Sequence, residues 1–213
     1  MKRFIVLILL GIIYLLPRVA HLDTIEFGYD QPKLASVVNN FIEKGNFLTS
    51  QRFVQQNSWG GYSWGAANIW FYTPFLLLSK HPAIVSILIY LVNFIATILV
   101  VCIGWRFFSH KAGIIAGLFL SLHPWWMIFS GLIYQPTPAL IISVIIMLLF
   151  FETLRKNKNW TIAPLIIFSI LLFETYHVTI SFLIPTFVLL FIKIRSISLK
   201  FSFIGFLLSL LIF

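Results

Sequence analysis

Long apolar runs limit what this chain can fold into more than any motif does. They fall at roughly 4–22, 82–104, 112–130, 138–153, 161–176, 178–192 and 201–213. A helix needs about 20 residues to cross the bilayer hydrocarbon, and a crossing segment must satisfy its own backbone polar groups. The runs therefore predict an all-α fold, a polytopic transmembrane helix bundle of about seven spans. Several runs fall short of a full span, so short, kinked or sheltered helices are expected. The fifth and sixth also read as one longer element broken near His177. Charged residues make up 10% of the chain, against roughly a quarter in a soluble protein, so a water-facing surface cannot be built around such a core.

The N-terminus has the outline of a secretory signal, Met1-Lys2-Arg3 followed by the apolar stretch from Phe4 to Leu16. Cleavage wants small residues after such a stretch, and Pro17-Arg18-Val19-Ala20 puts an arginine there, so the segment reads as an uncleaved anchor. The single cysteine, Cys102, lies inside an apolar run and can form no internal disulfide.

Basic residues give the orientation. With the N-terminus inside, the inner segments hold Lys2, Arg3, Arg106, Lys111, Arg155, Lys156, Lys158, Lys193, Arg195 and Lys200. The outer side holds Arg18, Lys33, Lys44, Arg52 and Lys80, spread over a longer stretch. That asymmetry follows the positive-inside rule. It also explains the net charge of +9 as a topology signal, which removes nucleic acid as a partner. The whole chain, 1–213, thus reads as one multi-pass integral membrane domain with a cytoplasmic N-terminus. Its loop over 23–80 is non-cytoplasmic, and an end inside an apolar run suggests a domain incomplete at its C-terminus.

Four of the six acids, Asp23, Glu26, Asp30 and Glu43, fall in that loop, and Glu174 lies near the outer end of the fifth run. Carboxylate chemistry is therefore expected at the outer face. From Pro32 the apolar residues Leu34, Val37, Val38, Phe41 and Ile42 follow the spacing of an amphipathic helix. Asp30 or Gln31 would cap it, Gly45 would end it, and such a helix is expected on the membrane surface. A stretch rich in glycine and aromatics leads from Asn57 to Pro74.

Asp30, in the first turn of that helix, suits either a general base on an acceptor hydroxyl or amine or an N-cap. Glu174 and His177, three residues apart, would share a helix face, as site residues or as a hydrogen-bonded pair. Arg18 suits a lipid phosphate, or snorkelling to the interface. Tyr134 and Gln135 flank the turn after the third run, among aromatics of the kind that gather at membrane interfaces. Asn159-Trp160-Thr161 matches a glycosylation acceptor but falls on the inner side, where it would not be used. No metal site is expected, because Glu174 and His177 lack further ligands at suitable spacing, and no cofactor is indicated.

The order of these features resembles the N-terminal half of a GT-C-type membrane glycosyltransferase. The bacterial relatives of protein O-mannosyltransferases and the lipid A aminoarabinose transferase are the nearest branch. The residues that carry the resemblance are Arg18 at the end of the first span, Gly28-Tyr29-Asp30-Gln31-Pro32-Lys33-Leu34-Ala35, and the segment from Gly65 to Pro74. The inner turn from Gly104 to Gly113 is similar to Gly-x-Arg-Leu-Phe-x-x-x-Ala-Gly, and Ser121-Leu122-His123-Pro124, Tyr134-Gln135-Pro136 and His177-Val178-Thr179 also resemble family positions. The resemblance implies transfer of a sugar from a polyprenyl-phosphate carrier to an acceptor glycan, lipid or protein at the outer face of a bacterial inner membrane. It maps the family's loop aspartate onto Asp30. It also implies substrate-binding roles for Arg18, Gln31, Tyr134, Gln135, Glu174 and His177. Two departures stand out: many relatives have Asp-Glu where this chain has Asp30-Gln31, and relatives run to about twice its length. The rival class is non-enzymatic, half of a lipid or solute transporter or a scaffold. Such a transporter is expected to put polar groups near the bilayer midplane.

Overall fold

Every regular element among the described residues is helical. The computed structural model describes residues 2–22, 30–44, 66–156 and 159–193. Helix α1 spans Lys2–Ala20, α2 Asp30–Lys44, α3 Ala66–Leu78, α4 Pro82–Phe107, α5 His110–Leu122, α6 Pro124–Phe129, α7 Pro136–Lys156, α8 Ile162–Thr175 and α9 Ile180–Lys193. Short 3₁₀ turns at Asn159–Thr161 and His177–Thr179 precede α8 and α9.

Three of these helices are long and apolar enough to cross a membrane by themselves, over Arg3–Ala20, Pro82–Phe107 and Pro136–Arg155. The remaining expected spans are shorter. Helices α5, α8 and α9 have 13 or 14 residues, about 20 Å of rise against a hydrocarbon layer of about 30 Å. The third apolar run is not one helix. His123 is extended ahead of Pro124, as the proline ring requires, and the chain restarts as α6. The run at 201–213 lies outside the described residues.

Chain direction alternates along the bundle. The Arg3 guanidinium lies over the Trp105 ring and Tyr14 packs on Phe94, so α1 and α4 are antiparallel. The two-residue link after α4 turns the chain back into α5, where the Ser109 hydroxyl caps the helix by accepting from the Ala112 N–H at 3.1 Å. This hairpin closes through small residues. The buried residues of α5 are Gly113, Gly117 and Ser121, one helical stripe, and Gly113 lies directly against Gly104 of α4. Such stripes let backbones approach where lipid offers no hydrophobic drive for association. At the same end, Arg106 pairs with Glu152 of α7, and Arg155 donates to the Arg106 carbonyl at 3.0 Å. We call this the Arg106 end of the bundle. Outward faces of α1 and α5 expose large apolar side chains such as Ile8, Leu9, Ile12, Ile115 and Phe119, as a lipid-facing surface does.

The opposite end carries α2 and α3. The predicted stripe of α2 is real but faces protein: Leu34, Val38 and Phe41 are buried in one cluster with Ile69, Tyr72 and Leu76 of α3 and Val85 and Ile89 of α4. The apolar face of α2 is thus covered by its neighbours and not spread on lipid. Its residues 30 and 31 are already helical, so neither is the outlying cap the pattern suggested, and Gly45, the expected stop, lies outside the described residues.

Candidate functional site

Arg18 sits in the last turn of α1 and is 2% exposed. Its Nε donates to the Ser130 hydroxyl at 2.8 Å, and its Nη1 donates to the carbonyls of Tyr14 at 2.7 Å and Ser121 at 3.1 Å. The Ser121 carbonyl lies in the last turn of α5, where helical partners run out, so Arg18 caps α5 from α1. The guanidinium also stacks on Tyr14, 3.7 Å from the ring centre. From the other side the Asn93 amide of α4 donates to the Ser130 carbonyl at 2.7 Å. Next to it Gly131 presses on the Tyr90 ring, where a Cβ would collide. These contacts tie α1, α4, α5 and the turn before α7 into one polar knot inside apolar helices. Arg18 does not reach out of the bundle, which corrects the snorkelling reading.

Helix α3 joins the other predicted residues. The Tyr72 hydroxyl donates to the Tyr134 carbonyl at 2.8 Å and accepts from the Tyr134 N–H at 3.0 Å. Burial pushes the Tyr72 phenol well above its ordinary range, so it stays neutral. The Thr137 hydroxyl lies 3.2 Å from the Phe129 carbonyl and 3.0 Å from the Leu132 carbonyl, either of which can accept its proton, and holds the same turn closed. Four residues before Tyr72, the buried Asn68 amide donates to the Thr175 carbonyl at 2.8 Å, at the end of α8. Tyr134 and Gln135 are half-buried in the turn that leads into α7.

Glu174 and His177 do not share a helix face, because α8 ends at Thr175 and Tyr176 is extended, with φ −155° and ψ 104°. His177 opens the next 3₁₀ turn, exposed and packed on Phe173, and Glu174 is half-buried one residue before the end of α8. The break near His177 is therefore where the sequence put it. Gln31 is buried at the start of α2, one residue after Asp30, whose side chain lies outside the described part. Asp23, Glu26 and residues 57–65 of the stretch from Asn57 to Pro74 also lie outside the described residues.

Along α2 runs a groove of about 450 Å³. Ser36, Asn39, Asn40 and Glu43 of α2 line one side, and Lys80 stands on the other, over an apolar floor that includes Leu76 and Val85. Among the described residues no three His, Cys, Asp or Glu side chains gather as a metal site would need.

Sequence reasoning did not single out Tyr14, Asn68, Asn93 or Ser130. The available signal was polarity inside apolar runs: Asn93 is an amide in the middle of the second run, and such residues face a protein interior. Gly113-Ile114-Ile115-Ala116-Gly117 is likewise a small-residue motif that marks a helix contact. Comparisons with family models, with curated proteins and with solved structures found no match for this chain.

Proposed function

We propose that this chain is the N-terminal part of a membrane glycosyltransferase that takes a sugar from a polyprenyl-phosphate carrier and gives it to an acceptor glycan, lipid or protein at the outer face of a bacterial inner membrane. One observation carries the reading beyond the sequence resemblance. Arg18, Gln31, Tyr134, Gln135, Glu174 and His177, separated by up to 159 residues of sequence, all lie at the α2 end of the bundle, and α3 bonds to two of their segments. In the proposed chemistry Asp30 takes the proton of the acceptor as its oxygen or nitrogen attacks the anomeric carbon, and the carrier phosphate departs. His177 and Gln135, which are accessible, stabilise the leaving phosphate by donating hydrogen bonds. Arg18 is enclosed by its partners, so its part is to hold the turn that carries Tyr134 and Gln135.

The non-enzymatic alternative, half of a transporter or a scaffold, gains from Asn93 and Thr97, which lie midway along α4. Substrate sites in transporters are commonly made by discontinuous helices. Here α4 runs unbroken from Pro82 to Phe107, Asn93 bonds to Ser130, and Thr97 bonds back to the Asn93 carbonyl at 3.0 Å. The Asn93 amide N–H is thus engaged in holding the bundle and the Thr97 hydroxyl in its own helix, while the buried Asn93 Oδ1 has no hydrogen-bond partner among the described residues; the unbroken α4 favours the enzyme.

Asp30→Asn in the complete protein tests the reading. Asparagine keeps the size of aspartate and removes only its charge, so expression and insertion should survive. Transfer from a polyprenyl-phosphate sugar should fall by roughly 10²–10⁴-fold, the usual contribution of a general base. Near-normal transfer in a well-expressed variant would move the base elsewhere, with Glu26 and Glu174 next to be tested.

A further inference from the structure

The groove along α2 has a charge pattern that the proposed transfer chemistry does not use. Glu43 and Lys80 both line it, both are exposed, and neither forms an ion pair among the described residues, with each other or with any other group. Two opposite charges in one groove, left apart, bracket a ligand that itself carries both signs. The amides of Asn39 and Asn40 line the same groove and offer donors and acceptors without charge. The volume, about 450 Å³, falls within the roughly 300–1,000 Å³ of small-ligand sites.

The surroundings say where the rest of such a ligand goes. Helix α4 begins at Pro82 on the wall of the groove. Its 26 residues rise about 39 Å, more than the hydrocarbon thickness of about 30 Å, so the groove lies at the level where the span leaves the bilayer. Beside its mouth Leu77, Leu78 and Ile84 are exposed large apolar residues, a surface suited to an acyl chain. Exposed His81 adjoins Lys80 at the start of α4, where the helix dipole also favours a phosphate.

We propose that this groove binds a phospholipid with a phosphoethanolamine headgroup, its phosphate at Lys80 and its ammonium at Glu43. A primary ammonium donates hydrogen bonds to a carboxylate and to the amide oxygens of Asn39 and Asn40. A quaternary ammonium donates none and is recognised by aromatic faces, and none of the described side chains that line this groove is aromatic. An anionic glycerol headgroup would meet Glu43 without a compensating charge. The inference does not depend on the transferase reading, because neither Glu43 nor Lys80 has a part in it.

The test is competition binding to the purified full chain in detergent, with short-chain phosphatidylethanolamine as the probe. Phosphatidylcholine, phosphatidylglycerol, inorganic phosphate and free ethanolamine serve as competitors. Phosphatidylethanolamine should bind tighter than either other lipid by about three- to tenfold, the range for one partly exposed charge-assisted contact. Inorganic phosphate and ethanolamine should displace it only weakly, since they lack the acyl contacts. Glu43→Gln should abolish the preference over phosphatidylglycerol, and Lys80→Gln should weaken all three phospholipids together. Both residues are exposed, so the variants should fold, which equal melting temperatures would verify. Equal binding of the three lipids by the unaltered chain would overturn the proposal, as would retention of its lipid preference in Glu43→Gln. Displacement by phosphate as effective as by lipid would assign the groove to a free anion and overturn it too.

Discussion

Replacing Gly113 by alanine puts the packing of α4 on α5 to a direct test. In an exposed helix the change should help, because alanine is the better helix former by about 1 kcal/mol. Here a Cβ at position 113 would stand 2.5 Å from the Val101 carbonyl oxygen and 2.9 Å from the Trp105 indole nitrogen. An ordinary carbon–oxygen contact is about 3.3 Å or more, so the two helices must part by roughly 0.8 Å. The obstacle is backbone and cannot rotate away. A gap of about 0.5–1 Å forfeits a quarter to a half of each dispersion well along the interface, and overpacking of this kind costs about 1–3 kcal/mol. The crowding outweighs propensity by up to about 2 kcal/mol, which lowers a melting temperature by up to about 8 °C for a chain of this size. Gly11 supplies the control. A Cβ there meets only the far end of the Phe94 ring, at 3.0 Å, which can yield, so Gly11→Ala should be neutral or slightly stabilising. The assay is thermal unfolding of the purified chain in detergent, read by the fraction that stays monodisperse after heating. A Gly113→Ala protein that melts at or above the unaltered chain would refute the close approach of α4 and α5.

Tyr72→Phe removes the hydroxyl that bonds both backbone groups of Tyr134. It should cost about 1–3 kcal/mol for the hydrogen bonds lost in a buried setting, the Tyr134 carbonyl keeping the Thr137 N–H at 3.0 Å, seen as a lower melting temperature, and no loss would place Tyr134 elsewhere. Asn68→Ala should destabilise by a similar amount, since the amide holds the Thr175 carbonyl at the end of α8. Faster proteolysis between α8 and α9 would report the loosened joint, and an unchanged digestion pattern would count against it. With Cys102 replaced by serine, a cysteine at Ser58 should react with an impermeant thiol reagent in intact cells, and labelling only after lysis would reverse the topology inferred from the basic residues.

Polarity and period carried much of the architecture, for identifiable reasons. The stripe of α2 and the break at His177 were legible because propensity and amphipathic spacing act over a few residues. The unbroken runs of α1, α4 and α7 were legible because length and apolarity alone decide whether a helix can cross a bilayer. The interruption at His123 also had its local cause in Pro124, yet the apolar run on either side masked it. The partner of α2 was not legible. An amphipathic stripe is equally satisfied by lipid and by a neighbouring helix, and α3 packs on it through Ile69, Tyr72 and Leu76.

What the sequence by itself determined is that this chain is helical and apolar enough for a membrane, and which polar residues stand out in it. Arg18 and Asn93 were visible as polar residues in or beside apolar runs, since a charge or amide there carries a cost wherever it falls. Their partners were decided only in three dimensions. Ser121 and Ser130, 103 and 112 residues beyond Arg18, reach it because the glycine stripe of α5 brings that helix against α4 and because Gly131 lets the turn press on Tyr90. The same holds for Glu43 and Lys80, which are 37 positions apart and meet across a groove only because α2 packs on α3. Hydrogen bonds and charge act over a few ångströms of space, and no spacing along a chain encodes which distant turns the packing will bring within that reach.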